Sequence, residues 1–137
     1  MNYAQISKTT IATLYKTYNS LDESPLDLTI RRLVELRTSQ INGCAFCCSL
    51  HSKEARDAGI TQEKLDALPA WHTAHIFSVK EIAALQWCEE LTCLTKDNKI
   101  DQRKLLEPHF SEREIVDLTA CISIMNAFNR IAIGLKD

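Results

Sequence analysis

Apolar side chains recur along this chain at helical spacing, and the interruptions between them are short and polar. Over residues 3–19, Ile6, Ile11, Leu14, Tyr15 and Tyr18 fall on a roughly helical period, which predicts one helix. The stretch DESPLD breaks it, and Pro25 suits the first turn of a second helix over 26–41. That helix carries Leu26, Ile30, Leu33, Val34, Leu36 and Ile41 mostly on one side. Asn42-Gly43 is a stop signal, with Gly43 as the left-handed cap. A third helix is expected from near Cys44 to Ala58, closed by Gly59.

A short helix over 62–68 should end at Pro69, and AWHTAHIF reads as an irregular connection. Ser78 and Glu81 form a capping box, each satisfying a backbone N–H of the other, at the head of a helix reaching about Cys93. TKDNK is expected as a polar loop, and Asp101 as the cap of a brief helix to Leu106. A second capping box, Ser111 with Glu114, opens a long apolar helix from Ile115 to about Ile133. No repeat and no low-complexity linker interrupts the series, so the expectation is one all-α domain over residues 1–137. The last helix is apolar around most of its circumference, from Ile115 and Val116 through Ile122, Phe128 and Ile133 to Leu135. Such a helix is either central or at a subunit interface, and a homo-oligomer is expected.

Composition narrows the class. Only three glycines and three prolines occur in 137 residues, which favours helices over many short strands. At 45% hydrophobic and 25% charged, the chain can bury a core without staples. A net charge of −2 and the lack of any Lys/Arg run argue against nucleic acid. The N-terminus lacks a basic start followed by an apolar run, and the longest uncharged stretch, Leu118 to Asn129, is short for a bilayer. A cytoplasmic protein without membrane contact is therefore expected, and its six cysteines should be reduced, with the C-x-x-C pair as the exception.

The candidate chemistry lies in GCAFCCSLHSKEAR, residues 43–56. On a helix, Cys44 faces Cys47, and Cys47 faces His51. Cys44 also stands at the helix N-terminus, whose partial positive charge favours a thiolate. His51 can take the proton of Cys47. A thiolate beside a second thiol can be oxidised to a sulfenic acid, condense to a disulfide and be reset by an external dithiol. Two other readings stay open at this level. One is a zinc site, for which His72 and His75 are the available further ligands, although no second C-x-x-C exists. The other is simple packing of thiols on a buried helix face. Cys48 could serve as either a core residue or a further thiol, and Cys88, Cys93 and Cys121 read as core residues. Glu35, on the preceding helix, could approach His51 if the helices pack antiparallel; as a local feature it is more simply an exposed pair with Arg32.

The run LVELRTSQINGCAFCCSLHSKEARDAG resembles the signature of the carboxymuconolactone decarboxylase superfamily, in its alkylhydroperoxidase D-like branch. PAWHTAHIFSVKEIAALQWCEELT and FSEREIVDLTACISIMNAFNRIAIGLK resemble the next two blocks, in order. The resemblance implies an all-α fold assembled as a trimer or hexamer, with thiol peroxidase activity and no cofactor or metal. It implies a small peroxide substrate and a dithiol donor, either a lipoyl group or a thioredoxin-like protein. Cys47 would be attacked first, Cys44 would resolve it, and His51 would relay the proton. The family's relay begins at a glutamate twelve residues before the first cysteine; Arg32 stands there in this chain. Glu35 is the candidate substitute, with slower or altered chemistry expected. Cys48 is a second departure from the family's usual pattern. The decarboxylase branch does not depend on a C-x-x-C pair, so the dithiol points away from it. A metal-binding or redox-sensing module with little peroxidase activity is the alternative.

Overall fold

Polar residues and glycines cap most of the helices, and these caps fix how the chain turns back on itself. The computed structural model describes residues 1–94 and 100–135. The expected TKDNK loop lies outside them, and the capping expected of Asp101 lies outside the described side chains. Every regular element among the described residues is helical, and they form a single domain.

The first predicted helix is two. α1 (Tyr3–Ile6) ends at Ser7, whose backbone leaves helical geometry, and α2 (Lys8–Asn19) follows. A 3-10 turn, Ser20–Glu23, leads into α3 (Leu28–Ile41). Asp27, rather than Pro25, marks the start of α3: its carboxylate accepts from the Thr29 N–H at 2.8 Å. α4 (Ala45–Asp57) and α5 (Gln62–Ala67) come next, then a 3-10 segment, Leu68–Thr73, where an irregular connection was expected. α6 (Val79–Thr92) carries the predicted capping box, with both reciprocal bonds present. A 3-10 turn, Ile100–Leu105, precedes α7 (Glu112–Leu135). Ser111 and Glu114 cap α7 reciprocally, through N–H bonds of 2.8 and 3.3 Å.

α3 is the hub. It packs against α4, α6 and α7, and its sides face separate apolar clusters. Ile30 and Val34 join Ala84, Trp87, Leu118 and Ile122 from α6 and α7. Leu33 and Leu36 join Ala55, Leu65, Leu68, Trp71 and Leu85. Burying a helix on nearly all sides also buries its polar residues, and Arg31, Glu35, Thr38 and Ser39 are all internal. Such groups are tolerated only when paired, and among the described residues no buried side-chain nitrogen or oxygen lacks a partner.

α7 turns Leu118, Cys121, Ile122 and Met125 inward but leaves Val116, Ile133 and Leu135 exposed. By length and composition alone it is apolar enough to cross a membrane. One face of it is buried against the rest of the domain, and its inward polar residues Asn126 and Asn129 are hydrogen-bonded to Asn42 of the α3–α4 turn at 3.0 and 2.9 Å.

Candidate active site

The site is built around the turn that joins α3 to α4. Gly43 adopts φ +68°, the left-handed region open to glycine. The N–H of Gly43 bonds to the Gln40 carbonyl and that of Cys44 to the Ser39 carbonyl, each at 3.1 Å, which completes a Schellman stop for α3. Cys44 is then the N-cap of α4: its Sγ accepts from the Cys47 N–H at 3.3 Å. One residue thus ends the first helix with its backbone and starts the second with its side chain. Asn42 and Ser39 tie this turn to Asn126 and Asn129 of α7.

Cys44 and Cys47 are joined by a disulfide, with Cα atoms 5.2 Å apart. Both are buried, at 3% and 5% exposure, and Ala132 of α7 packs with them. The two cysteines differ in surroundings. Cys47 lines a cavity of about 140 Å³ between α2, α4 and α7, together with His51 and Glu54, whereas Cys44 does not line it. Cys48 points elsewhere: it packs against the cluster of Leu33, Leu36 and Trp71, and burial raises its thiol pKa. Cys88 and Cys121 are fully internal; burial pushes Cys88 up to about 12, and burial followed by the Glu35 charge raises Cys121 well above the usual thiol value. Cys93 is exposed.

His51 is buried, and its Nδ1 lies 2.8 Å from Oε2 of Glu54 on the next turn of α4. A carboxylate accepts, so Nδ1–H donates, and Nε2 is left as the basic nitrogen. Oε2 of Glu35 is 4.0 Å from the same Nδ1. Glu35 itself is completely buried, which overturns the reading of an exposed surface pair. Its Oε1 accepts from Tyr18 at 2.8 Å and from Arg31 Nε at 2.9 Å, and its Oε2 accepts from Arg32 at 2.7 Å. The antiparallel return of α4 on α3 brings this about, as the sequence allowed.

Arg32 occupies the position where the family pattern has a glutamate. Its Nη1 meets Glu35, the Tyr18 hydroxyl at 2.9 Å and Glu54 at 3.4 Å. Burial lowers its pKa, but the Glu35 and Glu54 carboxylates outweigh that and the net shift is upward. The guanidinium is therefore a fixed positive clamp between carboxylates from two helices. Tyr18 is pushed up to about 12, by burial first and then by Glu35, so it stays a hydroxyl donor at neutral pH.

Tyr18 and Glu54 are not among the site residues the sequence pattern singles out. Glu54 carries a usable local signal, three residues after His51 on the same face. Tyr18 carries none, because it reaches Glu35 across 17 positions.

The zinc arrangement finds no support in the geometry. Among the described residues, the ligand-type cluster is Glu35, His51 and Glu54, within 4.8 Å of one another, and it contains neither cysteine of the pair. Arg32 already supplies the cation between those carboxylates. His72 instead stacks on Trp71 and lies 3.1 Å from Glu89, and His75 is exposed.

Several known proteins match most of this chain in sequence or in fold. YdfG of Bacillus subtilis, uncharacterised, is 35% identical over 114 residues, covering 82% of this chain and 78% of its own. YnjA of Escherichia coli, also uncharacterised, is 33% identical over 105 residues; the match covers 75% of this chain but only 57% of the relative. A crystal structure of an Agrobacterium tumefaciens protein of unknown function, provisionally described as the antioxidant defence protein AhpD, matches with a TM-score of 0.93 at 33% identity, covering 100% of this chain and 94% of that one. An uncharacterised peroxidase-related protein from Silicibacter shares the fold at a TM-score of 0.79 and 22% identity, over 90% of this chain and 66% of its own. The family model itself matches residues 8–90, and the chain belongs to the carboxymuconolactone decarboxylase family.

Proposed function

We propose that the protein is a thiol-dependent peroxidase working through Cys47, Cys44 and His51. The observation that carries this is that Cys47, unlike its disulfide partner Cys44, lines a cavity that His51 lines as well. The provisional assignment of the Agrobacterium relative to antioxidant defence supports it at the level of family.

In the reduced pair, His51 Nε2 takes the Cys47 proton, and the α4 N-terminus favours the thiolate. The thiolate attacks the distal oxygen of a hydroperoxide, ROOH. The S–O bond forms, the O–O bond breaks, and the leaving alkoxide takes the proton back from His51 to give ROH. The Cys44 thiol then attacks the sulfenic sulfur. The disulfide forms and hydroxide leaves as water. A dithiol donor, a lipoyl group or a thioredoxin-like protein, returns two electrons and two protons by exchange. Glu54 holds the His51 tautomer, and Glu35 acts one step further out, through Arg32.

We place the reaction in the cytoplasm, where such a donor is kept reduced. We also propose a homo-oligomer, a trimer or hexamer. The exposed apolar residues of α7 and an open, mainly apolar groove of about 1080 Å³ bordered by α6 and α7 support it.

Reduced protein is treated with one equivalent of an organic peroxide, and its disulfides are mapped by peptide mass spectrometry. The expected result is a rapid Cys44–Cys47 bond, and a trapped sulfenic acid at Cys47 in Cys44→Ser. Thiols that stay reduced while the protein remains folded would refute the peroxidase.

A further inference from the structure

The cavity against Cys47 has a composition that the peroxidase chemistry does not require. Its polar side chains are the Tyr3, Tyr15 and Tyr18 hydroxyls, His51 and Glu54; the rest of the lining is apolar. Of these groups, Tyr18, His51 and Glu54 are already bonded into the network that surrounds Glu35. Tyr3, Tyr15, Tyr18, Phe46 and Phe128 supply aromatic walls. Tyr15 stacks on Phe128 with centroids 4.8 Å apart, and Tyr18 meets the same ring edge-on at 5.9 Å. Ile11 and Met125 close the buried side, and Ile131 adds a further aliphatic wall.

A small polar oxidant such as hydrogen peroxide gains nothing from such walls. A flat apolar body gains both area burial and favourable ring contacts. The volume suits a ring as well. At about 140 Å³ the chamber is close to the apolar cavity of about 150 Å³ that accommodates one benzene ring. A long aliphatic chain exceeds it and would have to extend out through its open side.

We propose that this chamber selects hydroperoxides that carry a single aromatic ring, with the ring against the wall formed by Tyr15, Tyr18 and Phe128 and the peroxide group toward Cys47. The proposal rests on the peroxidase reading for its reaction, but binding of the ring does not. The chemistry is that given above: the distal oxygen passes to sulfur and the aryl-substituted alcohol leaves. That alcohol is unreactive toward the dithiol and so reports the chamber alone.

The test has two arms on the intact protein. In the first, rates of Cys44–Cys47 disulfide formation are compared for cumene hydroperoxide, hydrogen peroxide and a long-chain fatty acid hydroperoxide by stopped-flow fluorescence. In the second, binding of the product alcohol, 2-phenyl-2-propanol, is followed by titration. The expected result is a preference of about ten-fold or more for cumene hydroperoxide over both others, the scale of hydrophobic-pocket discrimination, together with saturable binding of the alcohol. Ile131→Trp, which fills the chamber, should lower the ratio of cumene to hydrogen peroxide rates and weaken alcohol binding. Phe128→Ala, which opens it, should narrow the gap to the fatty acid hydroperoxide. Equal rates for all three peroxides, or no alcohol binding, would overturn the chamber's role. Alcohol binding with a dithiol inert to every peroxide would retain the aryl site and reject the peroxidase reading instead.

Discussion

Glu35 offers the sharpest test of how the site is held together. Glu35→Gln keeps the shape of the side chain but replaces one acceptor oxygen with a donor. If the amide oxygen keeps Tyr18 and Arg31, the NH2 group faces Arg32 Nη1, which lies 2.7 Å from that position in the native chain. If the amide is turned over, the NH2 group faces Arg31 Nε and the Tyr18 hydroxyl instead. Either way a donor meets a donor around a side chain that is completely buried. Arg31 keeps Asp22 as a second partner at 2.7 Å, but Asp22 is itself exposed. Removing one member of a buried charge pair costs about 3–5 kcal/mol, whereas an exposed i,i+3 pair is worth only about 0.2–0.5 kcal/mol. The buried value is a large fraction of the roughly 5–15 kcal/mol that stabilises a typical domain.

Urea unfolding distinguishes the two cases. The midpoint should fall by on the order of 2 M with an unchanged slope, since the surface exposed on unfolding is the same. A loss below about 1 kcal/mol would mean that Glu35 is not the buried anchor described above. Tyr18→Phe and the double variant would then complete a cycle, and a coupling above about 0.5 kcal/mol is expected for groups in direct contact.

Further expectations concern the other residues of the network. Glu54→Gln should slow Cys47 oxidation by about 10–100-fold, as loss of an orienting partner does, and move the pH midpoint of the rate; an unchanged profile would remove Glu54 from the site. Gly43→Ala meets no atom within 4 Å, so only the backbone is strained, and a loss of about 1–2 kcal/mol is expected from thermal unfolding. In the oxidised native protein, iodoacetamide at neutral pH should label Cys93 and spare Cys88 and Cys121, whose thiols burial holds protonated. Glu89 is titrated below the usual carboxylate range: burial raises it, but hydrogen bonds from Trp71 and Arg37 outweigh that. A depressed folded value stabilises the fold above the unfolded pKa, and that contribution is lost as pH falls through the folded one. Glu89→Gln should therefore flatten the acid limb of the stability profile, and an unaltered limb would count against that role.

Much of the scaffold is legible in local sequence because it is set by local chemistry. The Gly43 and Gly59 stops and both capping boxes need only a few adjacent residues, and all are present. The shared face of Cys47 and His51 follows from helical period, whereas Cys44 meets Cys47 as the N-cap of α4, with a non-helical backbone. The break at Ser7 was hidden because the apolar spacing continues across it. The burial of Glu35 was hidden for a different reason. A helix reading sees Arg32 and Glu35 as a surface pair, and only the packing of α2, α4 and α7 around α3 turns that pair inward. The same holds for Asn126 and Asn129, polar positions on a helix that otherwise reads as apolar. Their partners, Asn42 and Ser39, lie 84–90 residues away.

The substitution of arginine at the family's glutamate position looks, from sequence, like the loss of a relay. The geometry argues for relocation instead. A cation at position 32 draws carboxylates toward it from one turn along α3 and from the facing side of α4. His51 has an acidic partner all the same, Glu54, which lies on its own helix. Orientation of the imidazole then depends less on how α3 and α4 pack and more on the helical geometry of α4 itself. In the proposed peroxidase Glu35, which carries the contacts to Arg31, Arg32 and Tyr18, would anchor Arg32 rather than the imidazole. In the proposed peroxidase, therefore, His51→Ala should abolish turnover, and Glu54→Gln should shift its pH dependence. Glu35→Gln should act mainly through stability, leaving the pH midpoint of the reaction in the folded fraction close to that of the parent. A shift at Glu35→Gln as large as that at Glu54→Gln would place the relay back on α3 and refute the relocation.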